Sequence, residues 1–124
     1  MLSIPPSTKI FICSQPIDMR QSFDGLAGTV ANALRCDSFS GHLFVFFSRC
    51  RKRVKILFWD RDGYVIWYKR LESGAFAASK WMNTENGSSL EVEASEFALL
   101  LNGFELKNLK RRKRYSRSKV LSTV

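Results

Sequence analysis

Val54-Lys55-Ile56-Leu57-Phe58-Trp59-Asp60-Arg61-Asp62-Gly63-Tyr64-Val65-Ile66-Trp67-Tyr68-Lys69-Arg70-Leu71 is the stretch on which the fold turns. It divides into two runs dense in β-branched and aromatic residues, Val54 to Trp59 and Tyr64 to Leu71, around a short polar segment. Such runs fit a pleated, half-buried surface and read as strands. Asp60-Arg61-Asp62-Gly63 suits a tight hairpin, either a type I turn with Gly63 left-handed in a bulge or a two-residue loop. The two choices differ in register by one residue. Leu43 to Phe47, just upstream, is a third run of the same kind, and the three together read as an antiparallel meander.

One consequence holds in either register. The connection between the first two runs carries Arg49, Arg51, Lys52 and Arg53, and the antiparallel return brings Lys69 and Arg70 back beside it. One edge of the sheet is therefore expected to be basic. Trp59, Tyr64, Trp67 and Tyr68 are interleaved with Lys55, Lys69 and Arg70, and cations near aromatic faces suit nucleic-acid backbones and unstacked bases. An antiparallel sheet usually buries one face, so about half of these aromatics belong to the core on any reading. An ordinary solvated hairpin is the alternative.

Working outward, Lys9 to Cys13 is a short strand candidate after the Pro5-Pro6 break. From Asp18 to Leu34, Phe23, Leu26, Ala27, Val30, Ala33 and Leu34 recur at the spacing of one helical face. Asp18 and Gln21 stand in the relation of a capping box at its start. Gly25 and Gly28 weaken this helix by about 1 kcal/mol each relative to alanine. Downstream of the meander, Ser73 to Leu90 reads as loop, with a polar stretch from Asn83 to Ser89. A second helix is expected near Ala94 to Asn102, with Phe97, Leu100 and Leu101 facing the core, Ser95 or Thr84 as cap, and Asn102-Gly103 as stop. The expected fold class is α+β: a small single domain, residues 1–106, with a three- to five-stranded, mainly antiparallel sheet and two helices.

Composition sets limits on this reading. The chain has 124 residues, 45% hydrophobic and 13% aromatic, enough for one core. Its longest apolar runs fall far short of the roughly 20 residues a membrane helix needs, and Met1 to Lys9 lacks the pattern of a signal peptide. A cytoplasmic protein without membrane contact is expected. Cys13, Cys36 and Cys50 are odd in number and widely spaced, with one histidine in the chain, which argues against both a disulfide framework and a zinc site.

The net charge of +9 is concentrated at one end. Residues 107–119 hold 8 of the 20 basic side chains, Lys110, Arg111, Arg112, Lys113, Arg114 and Arg117 among them, and no acid. An unbroken block of like charge repels itself, so 107–124 is expected to be a disordered basic tail. Nucleic acid is the usual partner of such an arm, because each phosphate neutralised releases counterions. A solvated solubility tail is the blander reading.

Catalysis finds little footing in these residues. Asp18, Asp24, Asp60 and Asp62 are the carboxylates a magnesium-dependent nuclease would recruit, but Asp60 and Asp62 belong in a hairpin turn anyway. His42, the one histidine, has no nucleophile elbow near it, and the glycines lack a phosphate-loop ending. No catalytic residue, metal ligand or cofactor is assigned.

Four ordered strings now carry a resemblance. They are Asp18-Met19-Arg20-Gln21-Ser22-Phe23-Asp24-Gly25-Leu26, Phe39-Ser40-Gly41-His42-Leu43-Phe44-Val45-Phe46, Lys55-Ile56-Leu57-Phe58-Trp59-Asp60-Arg61-Asp62-Gly63-Tyr64 and Tyr68-Lys69-Arg70-Leu71-Glu72-Ser73-Gly74. In order and spacing they are similar to the TnpB accessory protein of the insertion-sequence-66 group, which shares only its name with the RNA-guided nucleases. Gly74-Ala75-Phe76 departs from the family, where a basic residue precedes the phenylalanine. The resemblance implies a supporting role in transposition beside a separate DDE-type transposase, and supplies no catalytic residues. The expected function is binding of transposon-end DNA, or of a transposase–DNA complex, through Arg49, Arg51, Lys52, Arg53, Lys55, Lys69 and Arg70 with the tail. The alternative is a protein–protein adaptor for the transposase that uses the aromatic sheet face.

Overall fold

In the computed structural model, residues 4–82 and 89–103 are described. The tail assigned to 107–124, the 106/107 boundary and Thr84 lie outside them. The elements run β1 (Ile10–Cys13), α1 (Phe23–Asn32), β2 (Leu43–Phe47), β3 (Arg53–Asp60), β4 (Gly63–Arg70), β5 (Ser89–Val92) and α2 (Ala94–Leu101), with a 3-10 turn at Ser79–Trp81 between β4 and β5.

The strands form one five-stranded sheet in the order β4-β3-β2-β1-β5. The meander is present as expected. β3 and β4 pair without interruption from Arg53↔Arg70 to Asp60↔Gly63, and β2 pairs antiparallel with β3, Val45 opposite Ile56. The hairpin is the two-residue option, with Arg61 taking the positive φ of 51° that the tight turn demands. β1 joins β2 in parallel, Ile10 opposite Leu43, because α1 carries the chain back across one face, and the sheet is mixed.

Both faces are covered. On one, Leu26, Val30 and Leu34 pack against Phe44, Phe46 and Leu57. On the other, Phe97 and Leu100 of α2, with Phe76 and Trp81, pack against Val45, Phe47, Val54 and Ile56. This two-sided cover explains why β2 is apolar at every position: its side chains alternate between two cores, and all five are buried. Each buried phenylalanine contributes on the order of 2–3 kcal/mol of transfer free energy, so β2 is the element the fold can least do without.

Three local expectations are corrected. Helix α1 begins at Phe23, five residues after Asp18, with Ser22 at the N-cap position and no side-chain cap bond. The Asp18 carboxylate is engaged elsewhere: it accepts from the Arg20 backbone N–H at 2.9 Å and from the Arg20 guanidinium at 2.6 Å, a local turn that competes with helix. Ser89 and Leu90, expected at the end of the loop, join Glu91 and Val92 in β5, paired antiparallel to β1. Finally, α2 has Glu93, not Ser95, at its N-cap position. Its end matches expectation, with Asn102 as C-cap and Gly103 at a φ of 92°.

Candidate nucleic-acid interface

The basic rim is built by backbone pairing. After Phe47 the chain turns through residues 48–52, where the buried Ser48 hydroxyl accepts from Arg53 N–H at 3.2 Å and the Ser48 carbonyl accepts from Arg51 N–H at 2.9 Å. Arg51 takes a φ of 58° at this bend. The chain leaving β4 then straps the turn: Leu71 N–H donates to the Lys52 carbonyl at 2.8 Å, and Phe76 N–H to the Arg51 carbonyl at 2.7 Å. Phe76 is thereby driven into the core beside Phe47, ring centroids 5.8 Å apart. A turn held from both sides fixes where its side chains begin.

Arg49, Arg51, Lys52, Arg53, Lys69 and Arg70 consequently share one end of the β3–β4 pair, with Arg53 directly opposite Arg70. They do not all face the same way. Arg53 and Arg70 alternate in step with Leu57 and Ile66 on the α1 side, whereas Lys69 lies opposite Val54 and points to the α2 side. On the α1 side a shallow groove of about 620 Å³ runs between residues 17–20 and the turn. Its cationic lining is Arg20, Arg49, Lys52, Arg53 and Arg70, and its acidic lining is Asp18 and Glu72. Arg70 bonds Glu72 at 2.9 Å and Arg20 bonds Asp18, so those two charges are partly offset. Among the described residues, no carboxylate lies within ion-pair distance of Arg49, Arg51, Lys52, Arg53 or Lys69.

Lys55 departs from its expected place on this rim. Its side chain is turned inward, the residue only 7% exposed, and its ammonium donates to the carbonyls of Met19 at 2.7 Å and Gln21 at 2.6 Å while lying 4.8 Å from the Tyr68 ring centroid. A buried charge must be paired or fully bonded, and here it is spent on pinning the connection that leads into α1. Strand alternation puts Lys55 on the same face as Leu57, and it is the covering of that face by the connection into α1 that makes the position an inward one.

The aromatics also divide. Only Tyr68 lies at the cationic end, opposite Lys55. Trp59 and Tyr64 sit at the hairpin end, where Phe39 meets both at ring-centroid distances of 5.0 and 5.5 Å and the Tyr64 hydroxyl bonds Ser38 at 2.7 Å. Trp67 packs against the α2-side core. Phe39 belongs to this cluster and carries no role in the sequence reading, although at 59% exposure it is the most exposed of the large apolar side chains among the described residues.

The carboxylates considered for metal-assisted cleavage are dispersed. Asp18 is held by Arg20, which keeps its carboxyl well down, at about 2; Asp24 is in the first turn of α1, and Asp60 pairs with Arg61 at the hairpin tip. His42 is structural, its Nδ1 accepting the Lys9 N–H at 2.9 Å where β1 meets β2. Among the described residues, no helix is long and apolar enough to cross a membrane.

Fold and rim together define a small mixed-sheet α+β protein with one cationic end. The chain belongs to the family of IS66 Orf2-like proteins, whose family model matches residues 8–111. That is a family of accessory proteins of insertion-sequence transposition, not known as enzymes. Among its relatives, the uncharacterized protein y4jC of Sinorhizobium fredii (strain NBRC 101917 / NGR234) is 33% identical over 104 residues, which is 84% of this chain and 86% of that one. The uncharacterized protein y4hO of the same strain is 30% identical over 105 residues, 85% and 88% of the two chains. No solved structure matches.

Proposed function

We propose that this protein serves transposition by holding transposon-end DNA, alone or already bound by a DDE-type transposase, through phosphate contacts from Arg49, Arg51, Lys52 and Arg53, supplemented by Arg70, Lys69 and the basic segment 107–119. The observation that carries the reading is the concentration of cations without an ion-pair partner among the described residues, on a turn strapped by two backbone hydrogen bonds beside a groove of about 620 Å³. Rigid placement matters, because a turn whose backbone is already held loses less backbone entropy on meeting a phosphate strand than a flexible one. Contacts of this kind give affinity with little sequence preference.

The test is fluorescence anisotropy of a duplex bearing the element's terminal repeat, titrated with the full chain at about 50 and about 200 mM salt. Replacing Arg49, Lys52 and Arg53 together by Glu should lower affinity at least tenfold at the lower salt and reduce the log–log salt slope by about 3. Binding that ignores both the substitutions and the salt would remove the proposal. A second reading, an adaptor for the transposase, draws on the exposed Phe39 beside Trp59 and Tyr64. It predicts retention of transposase that is lost with Phe39→Ala and is unaffected by the charge reversals.

A further inference from the structure

Strand β4 ends the sheet on one side, and β5 ends it on the other. The two edges are built differently. β5 has four residues, too few to offer much of a template, and carries Glu91. β4 has eight residues, no proline, and pairs with β3 at every position without a bulge. About half of its N–H and C=O groups point away from β3, and no strand among the described residues receives them. Long, regular, partly apolar edges are what soluble proteins usually shorten, bulge or charge along their length, since they recruit other strands. Here Lys69 and Arg70 charge only one end, where Tyr68 beside them is 47% exposed, and Val65 nearer the hairpin is 36% exposed.

We infer that β4 is a self-pairing edge, and that its partner is β4 of a second copy of this chain, joined antiparallel about a two-fold axis normal to the sheet. Such an axis keeps the two α1 faces on the same side, so directly opposed residues must share a face and their numbers must sum to an even value. In the register with Trp67 opposite its own counterpart, Ile66 meets Tyr68, Val65 meets Lys69 and Tyr64 meets Arg70. No cation faces a cation. The sequence of β4 is self-complementary in this sense, cationic at one end and aromatic at the other. Arg70 of each copy is thereby laid beside Tyr64 of its mate, whose ring already packs with Phe39 and Trp59, and a guanidinium over such a cluster is favourable. The pairing accounts at once for the open edge, the exposed Val65 and Tyr68, and the exposed aromatic cluster. It draws Lys69 and Arg70 into the pairing and leaves Arg49, Arg51, Lys52 and Arg53, the main cations of the proposed DNA contact, outside it.

The experiment is sedimentation equilibrium of the full chain and two variants, Val65→Lys and Val65→Glu, with circular dichroism to confirm that each folds. Both substitutions remove the same exposed side chain, so any effect on folding is shared. Across the two-fold axis, however, the lysine creates two Lys–Lys pairs with Lys69 and the glutamate two Glu–Lys pairs. The parent should sediment as a dimer of the 14.2 kDa chain, with Val65→Lys weakening dimerisation by about tenfold and Val65→Glu retaining or tightening it. A parent that stays monomeric at tens of micromolar overturns the inference, including the case in which the β4 amides are nevertheless protected from hydrogen exchange by another part of the same chain. A dimer that responds equally to both variants overturns it too, because the interface then lies elsewhere.

Discussion

At the scale of single residues, neighbouring basic side chains do different work. Lys55 stabilises the fold: two charge-assisted hydrogen bonds to Met19 and Gln21 carbonyls hold residues 14–22 against the sheet. Replacing it by alanine strands those carbonyls, and Lys55→Ala is expected to cost about 2–4 kcal/mol in urea unfolding, while Arg53→Ala, whose side chain is exposed, should cost less than about 0.5 kcal/mol. Equal losses for the two would refute the distinction. Asp18 takes part in a local ion pair whose strength depends on pH. The Arg20 hydrogen bonds hold its carboxyl at about 2, below the ordinary 3.8, so its stabilising contribution is complete above the ordinary value and is lost as pH falls through about 2. The check is carbon-detected NMR titration of the Asp18 carboxyl, whose midpoint should return toward the ordinary value in Arg20→Ala. The cysteines separate just as cleanly. Burial pushes the Cys13 and Cys36 thiols up, whereas hydrogen bonding from Ser48 and the Lys52 backbone lowers that of the exposed Cys50. Iodoacetamide near neutral pH should therefore alkylate Cys50 first, mass spectrometry reading the order, since the thiolate is the reactive form.

At the scale of elements, the two glycines of α1 provide a matched test. A Cβ on Gly28 meets nothing within 4 Å, so Gly28→Ala should stabilise the protein by about 0.5–1 kcal/mol through helix propensity alone. A Cβ on Gly25 lies 3.3 Å from the Gln21 side chain, whose Oε1 accepts from the Thr29 hydroxyl, so Gly25→Ala should gain less. Thermal unfolding of the two variants checks the ranking. The same elements mark what the sequence could convey. Strands β2, β3 and β4 were legible because their apolar runs are long and the turn residues between them are distinctive. Helix α1 was legible in its middle, where Leu26 and Val30 define a face, but not at its start, because Asp18 looks the same whether it caps a helix or closes a turn on Arg20. β5 escaped notice because four residues alternating Ser89, Leu90, Glu91 and Val92 mean little until β1 stands beside them. Of the rim, the return of Lys69 and Arg70 beside the basic connection follows from hairpin geometry and could be read in advance, whereas the pairing of Arg53 with Arg70 itself waits on the register. The split of Lys69 from Arg70 to opposite faces follows from strand alternation alone, but the inward turn of Lys55 depends on which side α1 covers, and that is a tertiary fact.

At the scale of the whole molecule, the question is how charge is shared between folded body and C-terminal segment. Without residues 107–119 the chain has 12 basic and 11 acidic side chains, nearly neutral overall, yet its rim is locally cationic. A nearly neutral body with one charged end orients a polyanion, and the dense basic segment at 107–119 adds to the attraction. The two contributions can be separated in the full-length chain. Changing Arg111, Arg112, Lys113 and Arg114 to Gln should flatten the salt slope of duplex binding by up to about 4, because each lost phosphate contact removes roughly 0.9 from it. It should leave the melting temperature of the folded body unchanged. Reversal of Arg49, Lys52 and Arg53 on top of these changes should abolish what binding is left at about 50 mM salt, whereas the rim reversal alone should leave a weaker, still salt-dependent association. If the four glutamines by themselves eliminate binding, the rim makes no independent contact and the arrangement built by the Arg53–Arg70 pairing has another purpose.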